Sequence, residues 1–246
     1  MKTPRRTFLK KTFLSGAFFT GTSAIFATGI DQPLWSQQKT EPASSKEARP
    51  KEKEDEPKED DVSANEDLMR EHGVLNRILL IYDEANRRIA AKEKFDLEIV
   101  GKSAGLITRF IEDYHEKIEE QHIFPRFEQA GKMIELTVNL RAQHAMGRRV
   151  TEKIAASVKS KDLPAMSAAL AAFVRMYRPH EAREDTVLFP ALHKLVSAHE
   201  YDAMGEQFEG IERKTFGGDG FDMAVEQVTD LEKQLGIYDL SQFTPK

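Results

Sequence analysis

After residue 63 the chain places apolar residues at intervals of three and four, with glycine and proline sparse, which is the mark of amphipathic helices. Ser63, with Glu66 three residues on, reads as a capping box opening a first helix whose one face carries Leu68, His72, Leu75, Leu79 and Tyr82. A second helix carries Leu97, Val100, Ala104, Ile107, Ile111, Tyr114 and Ile118 and is expected to end near Phe124-Pro125. A third, from about Lys132 to Val158, has Leu136, Leu140, His144, Gly147 and Ile154 on one face. A fourth starts near Leu163-Pro164, since proline is tolerated in a first turn. Its inner face reads Leu170, Phe173, Tyr177, His180, Glu184, Val187 and Ala191, with Pro179 expected to kink it just before His180. Four such helices with short connections predict an all-α fold, an antiparallel four-helix bundle over residues 64–195. Two further helices, near Glu200–Lys214 and Phe221–Leu235, are separated by Gly217, Gly218 and Gly220 and form a C-terminal helical extension over 196–246.

The polar residues on these stripes carry the chemistry. The first helix has His72, the second His115 and Glu119, the third His144, the fourth His180 and Glu184. Residues four apart on a helix lie one above the other, so each His-x-x-x-Glu pair aims a nitrogen and a carboxylate at one point. The competing explanation is a hydrogen-bonded core histidine, invoked once per helix at similar depth. It also requires two buried carboxylates with no evident Lys or Arg partner on the inner face, Arg148 and Arg183 being expected to point elsewhere. A buried ionised carboxylate is very costly unless it is paired or binds a metal.

Six ligands exceed a tetrahedral zinc site and are too rich in nitrogen for calcium or magnesium. Mixed histidine and carboxylate sets with open positions suit iron. The natural division is two metals with two histidines each and both glutamates bridging. A bridging oxo or hydroxo group then leaves each metal about five-coordinate, with room for a small ligand. Ferritin-like di-iron bundles use Glu-x-x-His and more carboxylates, whereas here the order is His-x-x-x-Glu and histidine dominates. Neutral imidazoles favour the reduced form and slant such a site towards binding or reducing a small molecule.

The order His72, then Tyr114-His115-Glu-Lys-Ile-Glu119-Glu120 ending Ile-Phe-Pro125, then His144, then Pro179-His180-Glu-Ala-Arg-Glu184-Asp ending Leu-Phe-Pro190 resembles the hemerythrin-like (HHE cation-binding) domain over roughly Asp67 to His193. The resemblance implies a non-haem di-iron centre in a four-helix bundle, with His72, His115, His144 and His180 as terminal ligands and Glu119 and Glu184 as bridges. Oxygen-carrying hemerythrins have five histidines, two of them on the third helix at His-x-x-x-His spacing. Here Arg148 stands four residues after His144, which tells against simple oxygen transport. The function expected is binding of dioxygen or a related small ligand for sensing, buffering or scavenging. The alternatives are a di-iron enzyme reducing peroxide or nitric oxide, and a bundle that binds another metal or none. Whether the chain is an enzyme stays open.

The first thirty residues have another character. Lys2, Arg5, Arg6, Lys10 and Lys11 precede an apolar run from about Phe13 to Ile30, which reads as an export signal. Arg5-Arg6 followed by Phe8-Leu9-Lys10 resembles a twin-arginine signal, which makes the twin-arginine export machinery an expected partner and the protein periplasmic. An ordinary secretory signal is the alternative. Cleavage after Ala27 is disfavoured by the large Ile25, so the chain remains membrane-tethered and outward-facing if the signal is kept. Residues 31–63 are polar and dense in Lys, Glu and Asp, with Pro42, Pro50 and Pro57, and read as a disordered linker.

Composition adds exclusions. With 246 residues, 31% of them charged, and no cysteine, the chain has no disulfide, thiolate metal site or cysteine nucleophile. A net charge of −5 tells against a nucleic-acid partner. Nothing resembles a Ser-His-Asp triad, a P-loop or a dinucleotide fingerprint. His122 is expected at the rim, His193 and His199 at the surface, and Glu120 and Asp185 off the metal, although either could exchange roles with the glutamate before it. Tyr114 and Tyr177 read as core, and Gly73 as an aid to close helix packing.

Overall fold

The computed structural model describes residues 62–245, and within them every regular element is helical. The export signal and most of the linker inferred for residues 1–63 lie outside the described residues. α1 spans Ala64–Ala91, opened by the Ser63 hydroxyl accepting from the Glu66 amide and closed by Lys92 in the left-handed region. α2 runs over residues 98–129 without a break. It is α-helical at Glu98–Leu106, Glu116–Ile118 and Phe124–Gln129, and widened into π-helix at Ile107–His115 and Glu119–Ile123. α3 is Ile134–Ser160. α4 runs over 163–195, capped by Asp162 on the Ala165 amide, with a π-helical stretch at Glu184–Leu188 and no break at Pro179. α5 is Ala198–Phe216 and α6 is Gly220–Leu235.

The short connections at 92–97, 130–133 and 161–162 make chain neighbours antiparallel. α1 packs on α2 and α4, and α3 on α2 and α4, which closes a four-helix ring around one apolar core. α6 lies across α1 and α2, and α5 lies against α1 and sets Tyr201 on His193 near the end of α4, with ring centroids 4.7 Å apart. Arginines on α1 fasten α6. Arg77 pairs with Glu232 and donates to Thr229 at 2.8 Å, Arg88 donates to the Leu235 carbonyl at 2.7 Å, and Arg70 sits 4.3 Å over the Phe221 ring. Among the described residues no helix is long and apolar enough to cross a membrane.

Two expectations of the pattern are corrected by the π turns. α2 does not end at Phe124-Pro125. The Phe124 amide bonds five residues back to the Glu119 carbonyl, so the missing donor of Pro125 falls where the bonding register changes, and the helix continues to Gln129. In α4 the wide turn after Glu184 adds a residue, so the inner stripe slips by one. Leu188, Phe189 and Leu192 are buried in place of Val187 and Ala191, which are half-buried. Glycine serves close packing at Gly147, where a Cβ would overlap the Tyr177 hydroxyl, and not at Gly73, where a Cβ would meet no atom within 4 Å.

Candidate metal centre

Two of the three π stretches begin at the two carboxylates the pattern singles out, and the third ends at His115. Glu119 opens one and Glu184 the other, and each carbonyl accepts the amide of a phenylalanine five residues on, Phe124 and Phe189. Such bulges often occur at functional sites because they re-aim side chains within a continuous helix. His72 on α1, His115 and Glu119 on α2, His144 on α3, and His180 and Glu184 on α4 come together in the core, none more than 4% exposed.

The six groups form two pairs of nitrogens with two carboxylates between them. His72 Nε2 and His115 Nε2 are 3.0 Å apart, and His144 Nε2 and His180 Nε2 are 3.2 Å apart. Glu184 Oε2 lies 3.4 Å from His72 Nε2 and 3.1 Å from His180 Nε2. Glu119 Oε2 lies 3.7 Å from His115 Nε2 and 3.4 Å from His144 Nε2. Each carboxylate therefore faces one histidine of either pair. All four oxygens of Glu119 and Glu184 are buried and accept no hydrogen bond.

The opposite ring nitrogens are all held from outside. His115 Nδ1 lies 2.7 Å from Glu71, His72 Nδ1 2.7 Å from Asp185, His144 Nδ1 3.2 Å from Glu120, and His180 Nδ1 2.8 Å from the Gln143 amide oxygen. An ionised carboxylate only accepts, so Nδ1 carries the proton and the Nε2 lone pair points into the site. Two lone pairs 3 Å apart repel unless a proton or cation lies between them. Two nitrogen donors each about 2.1 Å from one zinc-sized ion at a right angle are also about 3 Å apart, so the donor set fits metal.

Without metal, protons must carry the missing positive charge. Burial opposes a charge on His72, but the Asp185 hydrogen bond and the Glu184 carboxylate outweigh it and raise its pKa well above the usual histidine range. Burial and the neighbouring His72 push His115 well below that range. Burial and the facing Glu184 raise Glu119, whereas His180 and His72 overcome burial and lower Glu184. The metal-free cluster is thus driven towards a mixed protonation state in which its donors cannot all be free at once.

The surroundings repeat with approximate two-fold logic. The acid after each central glutamate crosses to a neighbouring helix, Glu120 to His144 and Asp185 to His72. The phenylalanine of each Phe-Pro stacks on that same histidine, Phe124 on His144 at 5.6 Å and Phe189 on His72 at 5.5 Å between ring centroids. The residue after each α2 or α4 histidine is a buried glutamate met from the next helix. Arg148 reaches Glu116 at 2.7 Å and Asn76 donates to Glu181, whose pKa burial raises to about 8 against the pull of His72. Tyr114 donates to Glu71 at 3.0 Å, and Tyr177 to Glu116 at 2.7 Å.

Sequence reading missed Glu71, Gln143, Glu116 and Glu181, which are legible only as immediate neighbours of the histidines. It placed Tyr114 and Tyr177 in the core, where they are, without their hydrogen bonds to this shell. Arg148 turns to Glu116 and Glu120, away from the two central glutamates. His122 is half-buried beside Phe208, with a 3.4 Å contact to Gln207, and His193 and His199 are exposed.

Comparison with known proteins agrees with the site. The chain is 52% identical over 190 residues to an uncharacterized protein of Mycobacterium bovis, covering 75% of this chain and 74% of that one. Uncharacterized proteins of two Mycobacterium tuberculosis strains match to the same extent. No solved structure matches. The hemerythrin HHE cation binding domain matches residues 63–192 and again 136–236, and the chain belongs to that family.

Proposed function

We propose that the six side chains hold two iron ions, one between His72 and His115 and one between His144 and His180, with Glu119 and Glu184 spanning both. The observation that carries this reading is the set of four buried carboxylate oxygens without a hydrogen bond, set between two pairs of inward-facing imidazoles. Iron with a bridging oxo or hydroxo group would supply reversible one-electron chemistry and open positions for dioxygen or a related small ligand. The protein's own part is to hold Nε2 deprotonated through the outer hydrogen bonds, to exclude bulk water with Phe124 and Phe189, and to keep both carboxylates free of competing donors.

The test is anaerobic reconstitution with ferrous iron followed by exposure to air. Two irons per chain and a charge-transfer spectrum that reverses on removing oxygen support ligand binding. One zinc, or no metal, overturns the di-iron reading. Reduction of peroxide or nitric oxide is the second reading, favoured by Arg148, which is committed to Glu116 and Glu120 and adds no fifth nitrogen. Steady turnover with either substrate, lost in His115→Ala, selects it. The N-terminal segment fits export through the twin-arginine machinery, and a precursor that is still exported with Arg5 and Arg6 changed to Lys overturns that.

A further inference from the structure

The connections at 92–97 and 161–162 lie at one end of the bundle, and α6 ends there too. α6 runs beside α1 in the same direction: Arg70 sits over Phe221, Arg77 donates to Thr229, and Arg88 donates to the Leu235 carbonyl. The start of α2 meets the end of α3 at the same level, where a Cβ on Gly101 would stand 3.3 Å from Val158. Past Leu235 the chain keeps Ile237 buried and then turns its apolar side chains out. Tyr238 is 52% exposed, Phe243 54% and Leu240 79%, the highest of any large apolar side chain among the described residues. A single 3-10 turn over Leu240–Phe243, opened by Asp239 accepting from the Ser241 amide, sets Leu240 and Phe243 on one side, because residues three apart eclipse in that geometry.

The charge around this tip is positive. Residues 87–102 and 153–163 hold eight lysines and arginines against four acids, in a chain whose net charge is −5. Arg87 is taken up by Glu84 and Glu93, and Arg88 by Glu84. Lys92, Lys94, Lys102, Lys159 and Lys161 are exposed and form no ion pair with a described residue. Cations near helix C-termini complement the helix dipole, which would account for Lys92, Lys159 and Lys161 alone. It does not account for Lys94 and Lys102, which flank the start of α2, or for an exposed tyrosine, leucine and phenylalanine at the same end.

We infer that this end of the bundle is a docking face for an anionic lipid bilayer, with Tyr238, Leu240 and Phe243 entering the headgroup boundary and the lysines meeting lipid phosphate. Lysine stems lie along apolar surface while their ammonium groups reach for charge, so both features serve one contact. The apolar tip is far too short to span a membrane and suits an element lying in the interface. A second copy of the chain would bring the same positive charge to the face and be repelled by it. The inference is independent of the metal reading, since the face shares no residue with the histidine and glutamate cluster.

The chain has no cysteine, so one introduced thiol takes one environment-sensitive fluorophore. In the full chain, a label at Gln242→Cys reports this end alone, and attachment through the apolar run near the N-terminus does not register. Vesicles of phosphatidylglycerol and phosphatidylcholine are expected to shift its emission to the blue. The same label at Asn139→Cys, near the start of α3 at the other end, is expected not to respond. Phosphatidylcholine alone should give no shift, and salt at about 1 M, where the screening length is about 3 Å, should remove most of it. Lys92→Gln with Lys94→Gln is expected to raise the lipid concentration at half-maximal shift about 25-fold, each lysine near an anionic surface giving about fivefold. Leu240→Ser with Phe243→Ser is expected to raise it about tenfold. All four positions are exposed, so metal content should stay as in wild type. No shift with anionic vesicles, an equal shift at both labels, or an unchanged midpoint in the lysine variant overturns the inference. So does a shift given by polyglutamate and not by vesicles, which would assign the face to an acidic protein, or one given by protein concentration alone, which would assign it to a second copy.

Discussion

The α1–α2 edge and the α3–α4 edge of the site carry the same pair of buried histidines, yet their surroundings differ. On the first, His115 is held by Glu71, Glu71 by Tyr114, and Tyr114 is roofed by Phe216 from α5. On the second, His180 is held by Gln143, Pro179 stands where Tyr114 stands on the first edge, and the wall opens into a cavity. The six side chains alone would make the edges equal. What separates them is the neighbour of each histidine and the extension, which α1 receives through Arg70, Arg77 and Arg88 and which meets α4 beyond the site, at His193 against Tyr201. A C-terminal addition far from these histidines in sequence thus sets the environment of one edge of the cluster.

The largest break in the comparison removes what the edges share. Glu184 faces His72 on one edge and His180 on the other. Glu184→Ala is expected to lower bound metal from two to below one per chain by elemental analysis. Metal-linked stability should disappear with it. A ligand at 1,000 times its Kd adds about 4 kcal/mol, so the melting-temperature difference between loaded and chelated wild type should collapse in the variant.

The next change makes the closed edge resemble the open one. Glu71→Gln keeps the shape and replaces a carboxylate by an amide at His115 Nδ1. Metal affinity is expected to fall about 10- to 100-fold, measured by competition with a chromophoric chelator. An unchanged affinity would mean that the outer carboxylate does not govern retention.

These expectations also mark what the chain discloses before folding. That the six side chains would meet was legible because a four-residue spacing on a helix is a statement about one face, and because His72, His144 and the two His-x-x-x-Glu pairs interrupt stripes that are otherwise apolar. Their outer partners were not, because Glu71 meets His115, and Asp185 meets His72, only once two helices have chosen their register. The π turns were hidden for a related reason. A period of 3.6 assumes an unbroken bonding pattern, and the slip from Val187 to Leu188 follows from one extra residue that the pattern does not announce. Proline was read as a stop at Pro125, where the wide turn ahead of it let the helix continue.

Packing gives a smaller effect on the α3–α4 edge. Gly147 leaves room for the Tyr177 hydroxyl, which donates to Glu116 and so supports the shell around Arg148 and Glu120. Gly147→Ala should force Tyr177 aside and cost about 1–3 kcal/mol in denaturant unfolding, in the range of other overpacking changes. If the tyrosine can retreat without losing Glu116, the cost will fall well below that range.

The smallest expected effect lies on the α1–α2 edge and has the opposite sign. Gly73 follows His72 in the interior of α1, is exposed, and would place a Cβ in open space. A glycine in a helix interior costs about 0.5–1 kcal/mol relative to alanine through the backbone entropy it loses on folding. Gly73→Ala should therefore stabilise the chain by about that amount, with metal content unchanged, since the new methyl meets neither a ligand nor its partners. Stabilisation at Gly73 and destabilisation at Gly147, measured side by side in the metal-free protein, would show that only one of these two glycines exists for packing. A loss of stability at Gly73 would instead mean that the face beside His72 is covered by chain beyond the described residues or by a second molecule.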